Sequence, residues 1–442
     1  MRGLAERRYE RIILVTHYFP PERNAPARRI SELARHWSAR GRHVEVITGM
    51  PNHPYGVLPP EYRGAWYRRE SHDGAVVHRG RIYPAANSGI WRRALNYLSF
   101  CLSAVLTGLF RAGPADCVIA TSPQLFCALA GWVLSVFKRA PFIFEVRDIW
   151  PEEIVAVGAI RNRIAIHLLE GLEMFLYHRA RRIVAVAHGT VEILTARGIP
   201  SRKITVVPNG VDTSTFVPGP VDETVREQHN LNGEFLVSYI GTVGMAHRLD
   251  VMLDAAARLS DNPHIRFLIV GDGAERQRLE HEAQRRGLDN LIWAESQPAN
   301  RVAAYYRASD ACVVHLRRAR LFTKNIPSKM YEIMACGRPI LLGTEGESRQ
   351  LGERSGGALP FAPESATDLA EAIGALARDR ERAREMGRAG REFVTEHFDR
   401  RQLSDRYLDL IDRMTDTRLG TLTAKRRLRQ DPAHAEGTLH SL

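Results

Sequence analysis

The sequence predicts an α/β protein built from two doubly wound, parallel-sheet domains. Three observations carry this expectation. Short apolar, β-branched runs alternate with helix-patterned stretches from end to end, the pattern of strands joined by right-handed helical crossovers. The alternation is interrupted near Val217–Glu234, where Pro218, Gly219 and Pro220 open a polar stretch, and it restarts at Phe235. The 442 residues also exceed one ordinary core, so two domains of about 200 residues each are expected.

The first series of strands is expected at Arg11–Thr16, His43–Thr48, Val76–Arg79, Cys117–Thr121, Phe142–Val146, Arg182–Ala187 and Lys203–Val207. The second follows at Phe235–Ile240, Arg266–Val270, Leu291–Trp293, Ala311–Val314, Pro339–Leu342 and Ala358–Phe361. Helices fit between most of them, as at Pro26–Arg40, where Ile30, Leu33 and Trp37 recur at helical spacing. A long helix, Arg391–Met414, is expected to close the ordered chain. The domain reading is 1–216, 217–392, a helix at 393–414 and a tail at 415–442. The tail is polar, carries Lys425, Arg426, Arg427 and Arg429, and is expected to be disordered, either inert or a weak membrane contact.

Composition is that of a globular protein, 44% hydrophobic and 25% charged. The charged start at Met1–Glu10 runs straight into a strand, so no signal peptide is expected. The five cysteines lie in apolar surroundings without metal-ligand spacing and read as reduced, buried, cytosolic thiols. A net charge of +12 implies an anionic partner, either nucleotide phosphates or an acidic membrane leaflet. No helix-turn-helix, zinc finger or aromatic RNA-binding motif is present, so nucleic acid is not expected.

The most informative stretch is Phe322-Thr-Lys-Asn-Ile-Pro-Ser-Lys-Met-Tyr-Glu-Ile-Met-Ala-Cys-Gly-Arg-Pro-Ile340. It reads as a polar loop, a helix start at Pro327–Ser328, one turn carrying Lys329 and Glu332, a stop at Gly337 and a buried strand. A helix N-terminus with a nearby lysine suits a phosphate, and a carboxylate one turn later suits sugar hydroxyls. The plainer alternative is an ordinary capped helix. Other segments expected at strand ends are Thr16–Arg29, Phe144–Glu153, Val207–Asp212, Tyr239–Asp250 and Ile269–Glu275. For the first the alternative is a structural loop with solvated arginines. For Arg147–Asp148 it is an internal ion pair, and for Asn209–Gly210 a hinge turn. Gly271 and Asp272 read mainly as structural, since a Gly-x-Gly without a third glycine argues against NAD.

Together these segments resemble the retaining glycosyltransferases of family 4. Within that family, Arg147-Asp-Ile-Trp-Pro-Glu152 is similar to the bacterial enzymes of colanic acid and O-antigen type that assemble surface polysaccharides on a membrane lipid. The resemblance implies the GT-B fold, with two Rossmann-like domains facing across a cleft and a C-terminal helix returning to the first. It implies a hexosyltransferase with no cofactor and no metal, in keeping with the lack of an Asp-x-Asp pattern. Catalytic positions would be Asp148, Lys324 and Glu332. Donor contacts would come from Gly241, Thr242, His247, Arg248, Ser328, Lys329 and Glu332. Arg23, Asn24, Arg147 and Asn209 would line the acceptor side. The chain departs from the family at several of these positions. Arg23-Asn24-Ala25 replaces a Gly-Gly pair, Thr242 and His247 replace an Arg and a Lys, Arg248 replaces a Gly, and Lys324 replaces the first of two Glu. Either Arg248 and Lys329 substitute for the usual cations or backbone amides hold the diphosphate.

Leu95–Phe110 carries no charge, and its polar residues Asn96, Ser99, Ser103 and Thr107 share one helical face. Leu125–Phe137 is a second apolar stretch, ending in Lys138 and Arg139. Both are shorter than the ~20 residues that span a bilayer. They read either as core helices or as a pair resting in the headgroups of an anionic leaflet. The expected protein is therefore a cytoplasmic enzyme, peripheral at the inner face of the cell membrane. It would move a sugar from a nucleotide diphosphate sugar, expected to be UDP-linked, to a polyprenyl-diphosphate-linked acceptor. The alternatives are a nucleotide-sugar epimerase on the same fold and a non-catalytic membrane scaffold.

Overall fold

The computed structural model describes residues 10–414, apart from 23, 54, 86–89, 123, 151–161 and 325. The basic tail and Arg23 therefore lie outside the described residues.

Two sheets organise the chain. The first holds β1 (Arg11–Val15), β2 (His43–Gly49), β3 (Tyr67–His72), β4 (Ala75–Gly80), β5 (Cys117–Thr121), β6 (Phe142–Val146), β7 (Arg182–Ala185) and β8 (Ile204–Val206), in the order β3-β4-β2-β1-β5-β6-β7-β8. The second holds β9 (Phe235–Ile240), β10 (Ile265–Val270), β11 (Leu291–Ala294), β12 (Ala311–His315), β13 (Ile340–Gly343) and β14 (Ala358–Pro360), in the order β11-β10-β9-β12-β13-β14. Its pairs are all parallel. Both are Rossmann-like sheets, as expected. Each places its first strand at the point where the order reverses, between β1 and β5 and between β9 and β12.

The helices are α1 (Ala25–Ala39), α2 (Ile90–Phe110), α3 (Leu125–Phe137), α4 (Arg163–Arg179), α5 (His188–Ala196), α6 (Glu223–Gln228) and α7 (Asp250–Arg258), then α8 (Arg276–Arg285), α9 (Ala299–Ala308), α10 (Lys329–Ala335), α11 (Glu347–Ser355), α12 (Ala366–Arg378) and α13 (Arg380–His397). A last helix, α14, covers 400–414. Among described residues, one compact unit contains 10–145, 162–183 and 404–414, and the other contains 146–150 and 184–403.

Every expected strand is present. β3 is additional: a polar edge strand, antiparallel to β4, joined to it through Asp73 and Gly74 at φ 48° and 85°. Positive φ at both central residues is what a tight two-residue hairpin turn needs.

The closing helix departs from expectation. Instead of one helix over Arg391–Met414, α13 stops at His397 and α14 starts again. At the break the Asp399 carboxylate accepts the N–H groups of Arg401 and Gln402 (2.9 and 3.2 Å), an N-cap for a new helix. The backbone there pairs with Val211, whose N–H donates to Phe398 O and whose carbonyl accepts from Arg400 N–H, both at 2.9 Å. From Ser404 onward the chain packs on α1. Trp37 Nε1 donates to Ser404 O at 3.1 Å, His36 meets Asp405 at 2.8 Å and Arg42 meets Asp412 at 2.7 Å. Trp37 is buried with its ring edge-on to Tyr407.

The apolar stretch is also longer than expected. α2 has 21 residues, and its Trp91–Phe110 portion is long and apolar enough to cross a membrane.

Candidate functional site

In the second sheet, a ligand crevice belongs at the carboxyl ends of β9 and β12, where the strand order reverses. The loops there are pressed together. A Cβ on Gly271, after β10, would lie 1.9 Å from Gly241 O, and one on Gly273 would lie 2.3 Å from Val243 O. Glycine is required at both, because the loops after β9 and β10 cross at backbone contact. Across the crevice, a Cβ on Gly346 would lie 2.0 Å from Thr323 O, so the loop after β13 meets the turn at Arg320–Lys324 equally closely.

The helix α10 opens onto this crevice. Ser328 occupies its N-cap without making a side-chain cap bond. Lys329 folds back so that Nζ lies 3.7 Å from the centroid of the Tyr239 ring, and a Cβ on Gly241 would be 2.8 Å from it. Nζ is buried and has no hydrogen-bond partner among the described residues, although the residue as a whole is partly exposed. Burial lowers its pKa to about 7, against a smaller opposing pull from Glu332. An ammonium held on a ring face without a counter-ion is a receptor for an incoming anion.

Glu332, one turn on, is buried and accepts the Tyr306 hydroxyl at 3.2 Å. Burial and that carboxylate push the Tyr306 phenol well above its ordinary range. His247 packs near Tyr239, and burial, then Lys329 and His315, lower it to about 3, so it is neutral. Its carbonyl accepts from His315 Nδ1 at 2.6 Å, while His315 Nε2 accepts the Glu364 N–H at 2.9 Å. These two bonds fix the His315 tautomer with its proton on Nδ1.

Lys329, Gly241, His247 and Glu332 are thus gathered around Tyr239 and the start of α10. The other predicted residues are placed differently. Thr242 is exposed, with its carbonyl bound by the Tyr239 hydroxyl at 2.6 Å. Arg248, at φ 42°, lines a neighbouring pocket of about 410 Å³ with Met245, Glu275, Arg278 and Arg317. That conformation is the one a glycine adopts readily. Lys324 is ion-paired with Glu192 of α5. Asn24 caps α1 by accepting the Ala27 N–H at 2.9 Å. Arg147 and Asp148 are half-buried just past β6. The Asn209 carbonyl accepts from Arg400 at 3.3 Å, and a Cβ on the adjoining Gly210 would meet Phe398 O at 2.5 Å. This turn is packed against the break before α14.

Comparison with known sequences identifies the two segments. The profile described as "Glycosyl transferases group 1" matches residues 221–393, and "Glycosyl transferase 4-like domain" matches residues 24–210. Residues 221–393 are thus a group 1 glycosyltransferase domain and residues 24–210 a glycosyltransferase 4-like domain. It is 26% identical over 365 residues to the putative colanic acid biosynthesis glycosyl transferase WcaI of Escherichia coli (strain K12), covering 80% of this chain and 89% of that one. It is 26% identical over 349 residues to a GDP-mannose-dependent alpha-mannosyltransferase of Mycolicibacterium smegmatis, covering 77% and 81%. Its fold matches that of Anabaena HepE, solved with UDP and glucose, at a TM-score of 0.68 and 16% identity over 91% of this chain and 99% of that one. The GT-B fold expected from the sequence is therefore the one found.

Three features of this glycosyltransferase escaped sequence reasoning. Tyr306 and Tyr239 shape the surroundings of Glu332 and Lys329, but nothing in their local sequence sets them apart from core tyrosines. Arg29, read as one of several solvated arginines, is buried and paired with the buried Glu145 at 3.1 and 3.3 Å. Glu22, in the loop after β1, is buried and accepts the N–H groups of Phe19, Asn52 and His53 at 3.3, 3.1 and 3.0 Å. It fixes the loop after β1 to the loop after β2.

Proposed function

We propose that this glycosyltransferase moves a hexose, with retention and without a metal, from a UDP-linked donor to a polyprenyl-diphosphate-linked acceptor. It would work in bacterial surface polysaccharide assembly, as a peripheral protein on the cytoplasmic face of the membrane. The observation that carries this reading is the buried Lys329 ammonium over Tyr239, without a hydrogen-bond partner among the described residues and one helical turn from Glu332. A diphosphate would supply the missing counter-ion, with Gly241, Thr242, Ser328 and neutral His247 lining its path. Glu332, oriented by Tyr306, would take the ribose hydroxyls. As the sugar leaves, negative charge grows on the diphosphate, and a cation already in place lowers the barrier without reorganising. In this reading Lys324 and Arg248 supply further positive charge, and Asp148, Arg147, Arg23, Asn24 and Asn209 serve the acceptor. Residues 1–216 form the acceptor domain, 217–392 the donor domain and 393–414 the returning helix. The complex of HepE with UDP and glucose and the colanic acid context of WcaI support the donor and the pathway class.

The test is a screen of radiolabelled UDP- and GDP-linked hexoses with a short-chain polyprenyl-diphosphate sugar. Labelled lipid product from a UDP donor is expected. A preference for GDP-mannose would overturn the donor assignment, and isomerised free nucleotide sugar in place of lipid product would overturn transfer itself.

A further inference from the structure

Helix α2 directs its polar residues inward, beside the buried Tyr97, Phe100 and Ala104, and leaves much of its apolar surface uncovered. Asn96 is 4% exposed, with Nδ2 donating to Tyr83 O at 2.6 Å, Thr107 is buried, and Ser99 Oγ accepts the Tyr83 N–H at 2.8 Å. A Cβ on Gly80 of β4 would lie 2.1 Å from Ser103 Oγ, so this face sits tightly on the first sheet. That apolar surface points outward. Trp91, Leu95, Leu98, Leu102, Leu106 and Phe110 recur every three or four residues and are all exposed, Trp91 to 84%, Leu102 to 63% and Phe110 to 77%. They form a stripe about 30 Å long. The exposed Val136 and Phe137 close α3, whose next residue, Lys138, donates to Ala112 O at 3.0 Å just beyond the end of α2.

Charge decides what covers this stripe. No Asp or Glu occurs between Gly74 and Ala115, whereas Arg92 and Arg93 sit in the first turn of α2, Arg111 follows its end, and Lys138 and Arg139 follow α3. Two copies meeting on this face would set arginines against arginines in either orientation, with no carboxylate on α2 to offset them. An anionic bilayer satisfies both halves of the pattern, taking the apolar stripe among its acyl chains and the flanking cations among its headgroups. Crossing the bilayer would require pulling Asn96, Ser99, Ser103 and Thr107 off the sheet into hydrocarbon. The helix therefore lies in the membrane plane despite having the length to span it.

We infer that the outward stripe of α2, extended by the end of α3, is the surface on which the first unit docks, lying flat, on an anionic lipid bilayer. This deepens the membrane location proposed above and is independent of the transfer chemistry. The test uses the full chain and Leu98→Glu/Leu102→Glu, sedimented with phosphatidylglycerol-containing or pure phosphatidylcholine vesicles. The wild type should partition onto the anionic vesicles at low salt and be released by alkaline carbonate. The variant should bind them at least tenfold more weakly while melting and binding UDP like the wild type. Equal vesicle binding by a folded variant, no vesicle binding by the wild type, resistance to carbonate, or a wild-type dimer abolished by the substitutions would each overturn the inference. UDP binding in the same preparations reports on the donor site alone, so the two readings fail separately.

Discussion

Replacing Lys329 with Met keeps a side chain of similar length against Tyr239 and removes the charge. In the folded chain burial lowers this ammonium from 10.5 to about 7. Holding it charged at neutral pH therefore costs up to about 4 kcal/mol relative to the unfolded chain. The residue is partly open to water, so about 2 kcal/mol is the working figure. The sign follows from the direction of the shift. The penalty is complete below the folded pKa, fades as pH rises from about 7 to 10.5, and is absent above that. Lys329→Met should thus melt about 4–8 °C above the wild type at neutral pH, with the difference closing toward pH 10.5. Binding should move the other way. A diphosphate restores the charged form, so wild-type UDP affinity should fall up to about tenfold for each pH unit above 7, with proton uptake on binding. The variant should bind UDP about 10–100-fold more weakly and lose that pH dependence. Scanning fluorimetry and isothermal titration in buffers of different ionisation enthalpy measure both. A variant that melts no higher than the wild type at pH 7, or wild-type binding without proton uptake, would refute the reasoning.

Other expectations concern single contacts. Arg248→Gly relieves a left-handed backbone at φ 42° and should stabilise the chain by about 0.5–1 kcal/mol in urea unfolding, since glycine takes that conformation without a Cβ penalty. Gly271→Ala places a methyl group 1.9 Å from Gly241 O. It should destabilise by about 3 kcal/mol or more and weaken UDP binding by displacing the loop after β9. Glu145→Gln removes the carboxylate charge that faces the buried Arg29 and should cost about 3–5 kcal/mol by chemical denaturation. Tyr306→Phe removes one hydrogen bond to Glu332 and should cost about 1 kcal/mol of stability, with a larger fractional loss of affinity for UDP than for inorganic diphosphate.

Strands such as Phe235–Ile240 and Cys117–Thr121 were legible because fully buried parallel strands are apolar throughout, and the break at Pro218–Pro220 separated the two series. β3 was not, because an edge strand reading Tyr-Arg-Arg-Glu-Ser-His buries little and shows no alternation; the Asp73-Gly74 pair was its only local signal. The stop at Phe398 was hidden because Asp399 reads as one more charged residue on a helix until Val211 is brought beside it. Sequence periodicity divided α2 correctly into a polar and an apolar face. It could not say that much of the apolar one is outward, because the usual assumption buries it. Lys329 and Glu332 were visible as a pattern, while the desolvation of Lys329 arises from Tyr239 and Gly241, some ninety positions earlier. Arg29 and Glu145, 116 positions apart, were equally beyond a local reading.

The seating of α14 on α1 has a consequence during synthesis. Trp37 emerges from the ribosome among the first residues, but Ser404 and Tyr407, which cover it, are made more than 360 residues later. At about 5–20 residues per second, the nascent amino-terminal half waits about 10–40 s after residue 216 for its final layer. Throughout that interval an indole and its unsatisfied N–H are open to other chains. A gene fragment ending at 216 would make the exposure permanent, so joining 404–414 to it through a flexible linker should convert an aggregating fragment into one that folds.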